Sequence, residues 1–295
     1  MLRSLFAVLA VSLSHSVLLA ATDSDFNAGV VAFERQDYAG ALKAWKPLAN
    51  QGNSSAQFNV GLLYYMGLGT TQAKGEALNW FRKAADQGVP RAQAFVADVY
   101  VNSGDYAQAL GWYRKAAENG DDLAQFMLGF MYTCGPYTPW NKVAPTDLTQ
   151  GVEWFRRAVQ ADNADAEEQL GSLYEEGRGV IQDYKEAVRL YRMAADQGQS
   201  DGQYKLGMMY LLGKGIAKNP IVAHMWFNLA AGESGHIADH ARAFPVKSAV
   251  EGRELAEEMM TIVNKPEDVE LAQELARNWK PRTRVNPAPG SILKK

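Results

Sequence analysis

The chain has 295 residues, 47% of them apolar and 21% charged, with a formal net charge of −3 and a single cysteine. This is the composition of a folded protein, long enough for a continuous core. It carries no global field favouring nucleic acid or an anionic membrane, and one cysteine excludes an intramolecular disulfide.

Residues 1–21 read as a secretory signal: Arg3 is the basic start, 5–19 is apolar apart from serines and His15, and Ala20-Ala21 offers small residues for cleavage. The stretch is short for a membrane span. The expected product is cleaved after Ala20 or Ala21, is periplasmic or secreted, and keeps no stable membrane span. An uncleaved anchor is the alternative. No cysteine follows the apolar stretch, so lipoprotein processing is not expected.

Residues 22–52 hold a degenerate helix pair, with Ala28-Gly29 in one helix and Ala41, Trp45, Leu48 and Ala49 in the next. Residues 53–88 give the clearest unit. Ala56, Val60, Gly61 and Tyr64 share one helical face, and Gly67-Leu68-Gly69 ends that helix. Ala77, Trp80, Phe81, Ala84 and Ala85 then mark a second amphipathic helix, closed by Gly88. Small residues let helices approach, and large aromatics fill the space between neighbouring pairs.

The frame returns at 89–120, 121–162, 163–198 and 199–235. Ala-x-x-x-Leu-Gly-x-x-Tyr stands at Ala124/Leu128/Gly129/Tyr132 and Ala166/Leu170/Gly171/Tyr174. Softened copies are Ala92/Val96/Ala97/Tyr100 and Gly202/Leu206/Gly207/Tyr210. The helices keep phase while the loops change length, as expected when stacking fixes the helices. Trp154 is expected to be a buried aromatic bridging two units.

These residues resemble the Sel-1-like repeat family, relatives of the tetratricopeptide repeats, over about 27–235. The resemblance implies an all-α fold: a right-handed superhelical α/α solenoid of helix pairs. It implies an adaptor or regulator, and many bacterial members are exported. Cysteine-rich members with reported β-lactam-directed activity carry paired cysteines in each repeat; with Cys134 alone, that activity does not carry over.

In such solenoids the first helices line a concave groove. Register places Phe58, Leu62 and Tyr65; Ala94, Asp98 and Val101; Phe126, Phe130 and Thr133; Glu168, Ser172 and Glu175; and Tyr204, Met208 and Leu211 there, with Phe26, Val30 and Phe33 ahead of them. Aromatics at most rungs suggest an apolar binding groove with an acidic fifth rung. Packing of these rings inside a tightly wound superhelix is the other reading. The 135–147 loop is long and proline-stiffened. Its Tyr137 and Trp140 either contact a partner or plug the stack.

Asp162, Asp165, Glu167, Glu168, Glu175 and Glu176 form an acidic cluster. It is either a solvated face or a seat for a basic segment or cation. Cys134, at a helix end, is either a small filler or a reactive thiol. His236 and His240 have metal-ligand spacing but no convincing third ligand, and no catalytic constellation or phosphate loop stands out. Residues 236–280 read as capping helices, with Leu255, Met259 and Ile262 on one and Leu271, Leu275 and Trp279 on the other. The basic tail 281–295 reads as disordered.

The reading is an exported, non-catalytic scaffold for a protein or peptide partner in the cell envelope. It needs no cofactor or metal and binds no nucleic acid. The alternative is an envelope ligand binder or hydrolase acting on peptidoglycan or a β-lactam.

Overall fold

Helix boundaries follow side chains that satisfy the orphan N–H and C=O groups of each helix end. The structure, a computed structural model, describes residues 20–134, 143, 146–232 and 266–282. They form thirteen α-helices and no strand. Contacts divide the chain into two compact units, meeting at Thr146 and Asp147.

The N-terminal unit holds α1 (Ala20–Glu34), α2 (Tyr38–Asn50), α3 (Ser54–Met66), α4 (Lys74–Asp86), α5 (Pro90–Asn102), α6 (Tyr106–Glu118) and α7 (Asp122–Thr133). The C-terminal unit holds α8 (Leu148–Gln160), α9 (Ala164–Glu176), α10 (Tyr184–Asp196), α11 (Ser200–Leu212), α12 (Pro220–Gly232) and α13 (Pro266–Asn278). Within each unit every helix packs on its chain neighbours, giving stacked α/α pairs. Asp37, Asn53, Asp105, Asp121, Asp147 and Asn163 each accept a backbone N–H from the helix they open. Pro90 opens α5 without a side-chain cap.

Two kinds of glycine make the stack possible. Gly67, Gly177 and Gly213 end α3, α9 and α11 in the left-handed region, each at φ 69. Within the helices, a Cβ on Gly61, Gly171 or Gly207 would lie 2.7 to 2.8 Å from the ring of Phe81, Tyr191 or Phe227. The glycine of the Leu-Gly-x-x-Tyr signature therefore receives the second-helix aromatic of its own pair. Gly29 does the same for Trp45, whose indole N–H donates to the Phe26 carbonyl at 3.0 Å.

Adjacent pairs are joined by two polar ladders. Gln57, Gln93, Gln125 and Gln203, all buried, donate from Nε2 to the carbonyls of Ala49, Ala85, Ala117 and Ala195 at 3.1 to 3.4 Å. Lys46, Arg82, Arg114, Arg156 and Arg192 donate to the hydroxyls of Tyr64, Tyr100, Tyr132, Tyr174 and Tyr210 at 2.5 to 3.3 Å, always 18 residues on. The signature tyrosine is thus an inter-pair connector rather than a purely apolar filler.

Three expectations are corrected. Trp154 is only half-buried, with Arg157 4.6 Å above its ring; the fully buried residue is Phe155, which takes the core register one position on. On α13 Ala272 is buried, while Leu271 and Leu275 are 44% and 38% exposed; Trp279 packs edge-on against Trp226 of α12 at 6.0 Å. Arg282, at the start of the expected disordered tail, is docked: its side chain meets Asp162 at 2.6 Å and its N–H donates to the Asp196 carbonyl. Residues 1–19, the remainder of the tail, the expected capping helix over 250–263, His236 and His240 lie outside the described residues.

Candidate interaction face

The first helices α3, α5 and α7 carry the candidate residues of the N-terminal unit. Phe58 and Leu62 are 1% and 0% exposed and belong to the core. This corrects the expectation of a groove there. Phe58 sits between Phe81 of its own pair, 5.7 Å away, and Phe95 of the next, 6.0 Å away. Neighbouring pairs approach closely enough for this register to become interior. Phe26, Phe33, Ala94 and Thr133 are buried as well, the first two against Trp45 of their own pair.

Half-buried Tyr65, Asp98, Phe126 and Phe130 keep part of their surface open. Phe95, which register arguments passed over in favour of Ala94, joins them. It stacks on Phe81 at 4.8 Å and 16° and meets Tyr65 at 5.9 Å. The signal for it is an aromatic one position past Ala94, in a rung otherwise without a ring. Tyr137 and Trp140 lie outside the described residues. Cys134 closes the last turn of α7, its thiol donating to the Met131 carbonyl at 3.3 Å.

Asp98 is not an open acidic flank, because it accepts a short hydrogen bond from the Tyr113 hydroxyl. Burial, reinforced by the Asp98 charge, pushes the Tyr113 phenol well above its ordinary range. Beside it Arg91 meets Asp121 at 3.1 Å and Asp122 at 2.9 Å. Burial raises the Asp121 carboxyl against the opposing pull of Arg91. This node ties α5 to α7 and was not legible beforehand, since its members stand about thirty residues apart, one repeat length.

In the C-terminal unit Glu168, expected at the surface, is 5% exposed. Its oxygens accept from Ser172 Oγ at 3.0 Å and Gln169 Nε2 at 2.7 Å. Loss of hydration carries its pKa to about 7, with Lys205 and these two bonds opposing the rise. The set continues through Ser172 to Tyr191 at 3.1 Å, from Tyr191 to Glu175 at 2.8 Å, and from Glu175 to Lys214 at 3.8 Å. This chain of hydrogen bonds orders a polar rung that links α9 to α10.

The acidic cluster does not form one face. Glu167 is fully buried and Asp162 is not; Gln197 Nε2 donates to both, at 2.9 and 3.4 Å, and Asp162 also meets Arg282. Tyr204, Met208 and Leu211 are partly buried against Phe227. Among the described residues no group of three metal-ligating side chains converges, and no helix is long and apolar enough to cross a membrane.

Comparison with known proteins bears on this architecture. The model of the Sel1 repeat matches residues 54–89, 90–121, 122–163, 164–199 and 200–233. A Sel1 repeat protein of Oxalobacter formigenes has a similar structure, with a TM-score of 0.67 and 23% identity over 88% of this chain and 99% of that one. A protective antigen of uropathogenic Escherichia coli displaying an SLR fold aligns with a TM-score of 0.53 and 23% identity, covering 92% of this chain and 62% of that one.

In sequence, the ERAD-associated E3 ubiquitin-protein ligase component HRD3A of Arabidopsis thaliana is 42% identical over 53 residues. An uncharacterised protein of Neisseria meningitidis serogroup B is 27% identical over 173 residues. These matches cover 18% and 50% of this chain but only 8% and 36% of those proteins. Sel1 repeat proteins generally mediate protein–protein interaction and are typically non-catalytic. Five matched repeats, running from residue 54 to residue 233, make this chain a member of the Sel1 repeat family.

Proposed function

We propose that the protein is an exported, non-catalytic scaffold that binds a protein or peptide segment on the first-helix face of its N-terminal unit. The observation that carries this reading is the run of half-buried rings on successive first helices: Tyr65 on α3, Phe95 on α5, and Phe126 and Phe130 on α7. A merely solvated face would carry charges there. Rings already packed on their inner sides lose little freedom when a partner covers the remainder, the property of an anchor residue. The leader-like residues 1–21 support export, with the periplasm as the address. HRD3A, by name a component of a multi-protein ligase, is consistent with a scaffold role.

The test is capture from an envelope extract with the tagged mature protein, followed by mass spectrometry and N-terminal sequencing of the bait. Recovery of one stoichiometric protein, with a bait beginning near residue 21 or 22, is the expected result. Co-sedimentation with peptidoglycan without a protein partner, or a bait retaining Met1 in the cytosol, would contradict it.

A further inference from the structure

On the second helices of the N-terminal unit, Lys46, Arg82, Lys83, Arg114 and Lys115 are all exposed. None makes an ion pair with a carboxylate among the described residues. Neutral groups hold them instead. Lys46, Arg82 and Arg114 donate to the tyrosine hydroxyls of the following pair at 2.7, 3.3 and 2.5 Å. Lys83 and Lys115 lie over the rings of Trp80 and Trp112, 4.1 and 4.4 Å from their centroids.

The C-terminal unit matches this only in part: Arg156 and Arg192 also donate to tyrosine hydroxyls, at 3.1 and 2.5 Å. The difference lies at the positions of Lys83 and Lys115, where Arg157, over the Trp154 ring, pairs with Glu153 at 3.3 Å, and Met193 carries no charge. Of the nearby acids in the N-terminal unit, Glu76 accepts the Trp80 indole N–H at 3.0 Å and acts on Lys46 through space, while Asp86 and Glu118 stand exposed at the ends of α4 and α6.

A cation braced by a ring or hydroxyl keeps its full charge. Most of its donors remain unspent, and part of its rotamer freedom is already lost. Repetition at one register sets such cations in a line, two on each of α4 and α6 with Lys46 of α2 ahead. We propose that this stripe docks an extended acidic segment of a protein partner, whose carboxylates meet Arg82, Lys83, Arg114 and Lys115 at successive pairs. The chain's net charge of −3 disfavours a long polyphosphate and leaves a short carboxylate-bearing segment as the fitting ligand. This surface lies on the second helices and stands independently of the first-helix reading.

The test is a fluorescence-anisotropy titration of the full chain with labelled oligoglutamate, using oligolysine and oligothymidylate as comparison probes. Oligoglutamate should bind saturably and weaken at least about tenfold as salt rises from about 0.05 to about 0.3 M. Oligolysine should not bind, and oligothymidylate should bind less tightly than oligoglutamate. The R82Q/K83Q/R114Q/K115Q variant should lose roughly tenfold or more, and R157Q, whose cation is already paired with Glu153, less than about twofold. K83Q/K115Q leaves the arginine–tyrosine bonds intact, so the test survives if the fourfold variant misfolds; it should lose about threefold. Absence of saturable oligoglutamate binding, equal losses in all variants, or tighter binding of oligothymidylate would overturn the proposal.

Discussion

Replacing Glu168 with Gln removes one ionisable group from an interior site without changing its size. The carboxyl is 5% exposed, and its pKa rises from an ordinary 4.5 to about 7 on folding. Below about pH 4.5 both folded and unfolded chains hold the proton, and burial carries no ionic penalty. Between the two values the unfolded chain releases the proton while the fold retains it, so stability falls as pH rises. Above about 7 both are ionised and the loss is complete. At about 1.4 kcal/mol per pH unit, this window is worth about 3 kcal/mol. A Gln side chain can still accept from Ser172 Oγ. Urea melts of wild type and E168Q at intervals from pH 4 to 8 give the difference curve, from which other titrating groups cancel. The variant should match wild type near pH 4 and exceed it by about 3 kcal/mol at pH 8. A difference independent of pH, or a variant less stable at pH 8, would refute the burial argument.

Glu167 occupies the register in which Gln57, Gln93, Gln125 and Gln203 donate to a carbonyl eight residues back, something a carboxylate cannot do. Glu167→Gln should therefore stabilise the C-terminal unit by about 1 kcal/mol at neutral pH, read from the midpoint of a urea melt. Gly171→Ala would place a methyl 2.8 Å from the Tyr191 ring, which its bonds to Ser172 and Glu175 hold in place. A loss of about 1–3 kcal/mol is expected, and an unchanged thermal midpoint would show that the ring yields freely. Phe155→Ala should cost about 3–5 kcal/mol and Trp154→Ala about 1 kcal/mol, because only Phe155 is fully enclosed. Parallel melts that reversed this order would mean the two rings exchange roles.

Helix pairs, turns and core alanines were legible because a repeated sequence states the same constraint several times. Gly61, Gly171 and Gly207 each face a ring because the frame fixes both partners within one pair. What depends on the distance between pairs was not legible. Phe58 and Tyr65 lie on the same side of α3 and both meet Phe95 of the following pair, yet only Phe58 is fully enclosed. The Arg91–Asp121–Asp122 node likewise joins residues whose separation is a full repeat. The tyrosine ladder could have been found, since a basic residue precedes each signature tyrosine by 18 positions. Glu168 misled because a carboxylate in a helical register usually means solvent; here Ser172 and Gln169 make its burial tolerable.

The central claim is that half-buried first-helix rings form the partner-binding face, and Phe126 and Phe130, one turn apart on α7, are its most direct handle. The measurement is calorimetric titration of the captured partner into wild type and the Phe126→Ala/Phe130→Ser variant, each corrected for its folded fraction from a parallel melt. The account predicts at least about thirtyfold weaker binding per folded molecule, corresponding to the roughly 2 kcal/mol of a central anchor. Unchanged affinity per folded molecule, with the loss confined to stability, would contradict it.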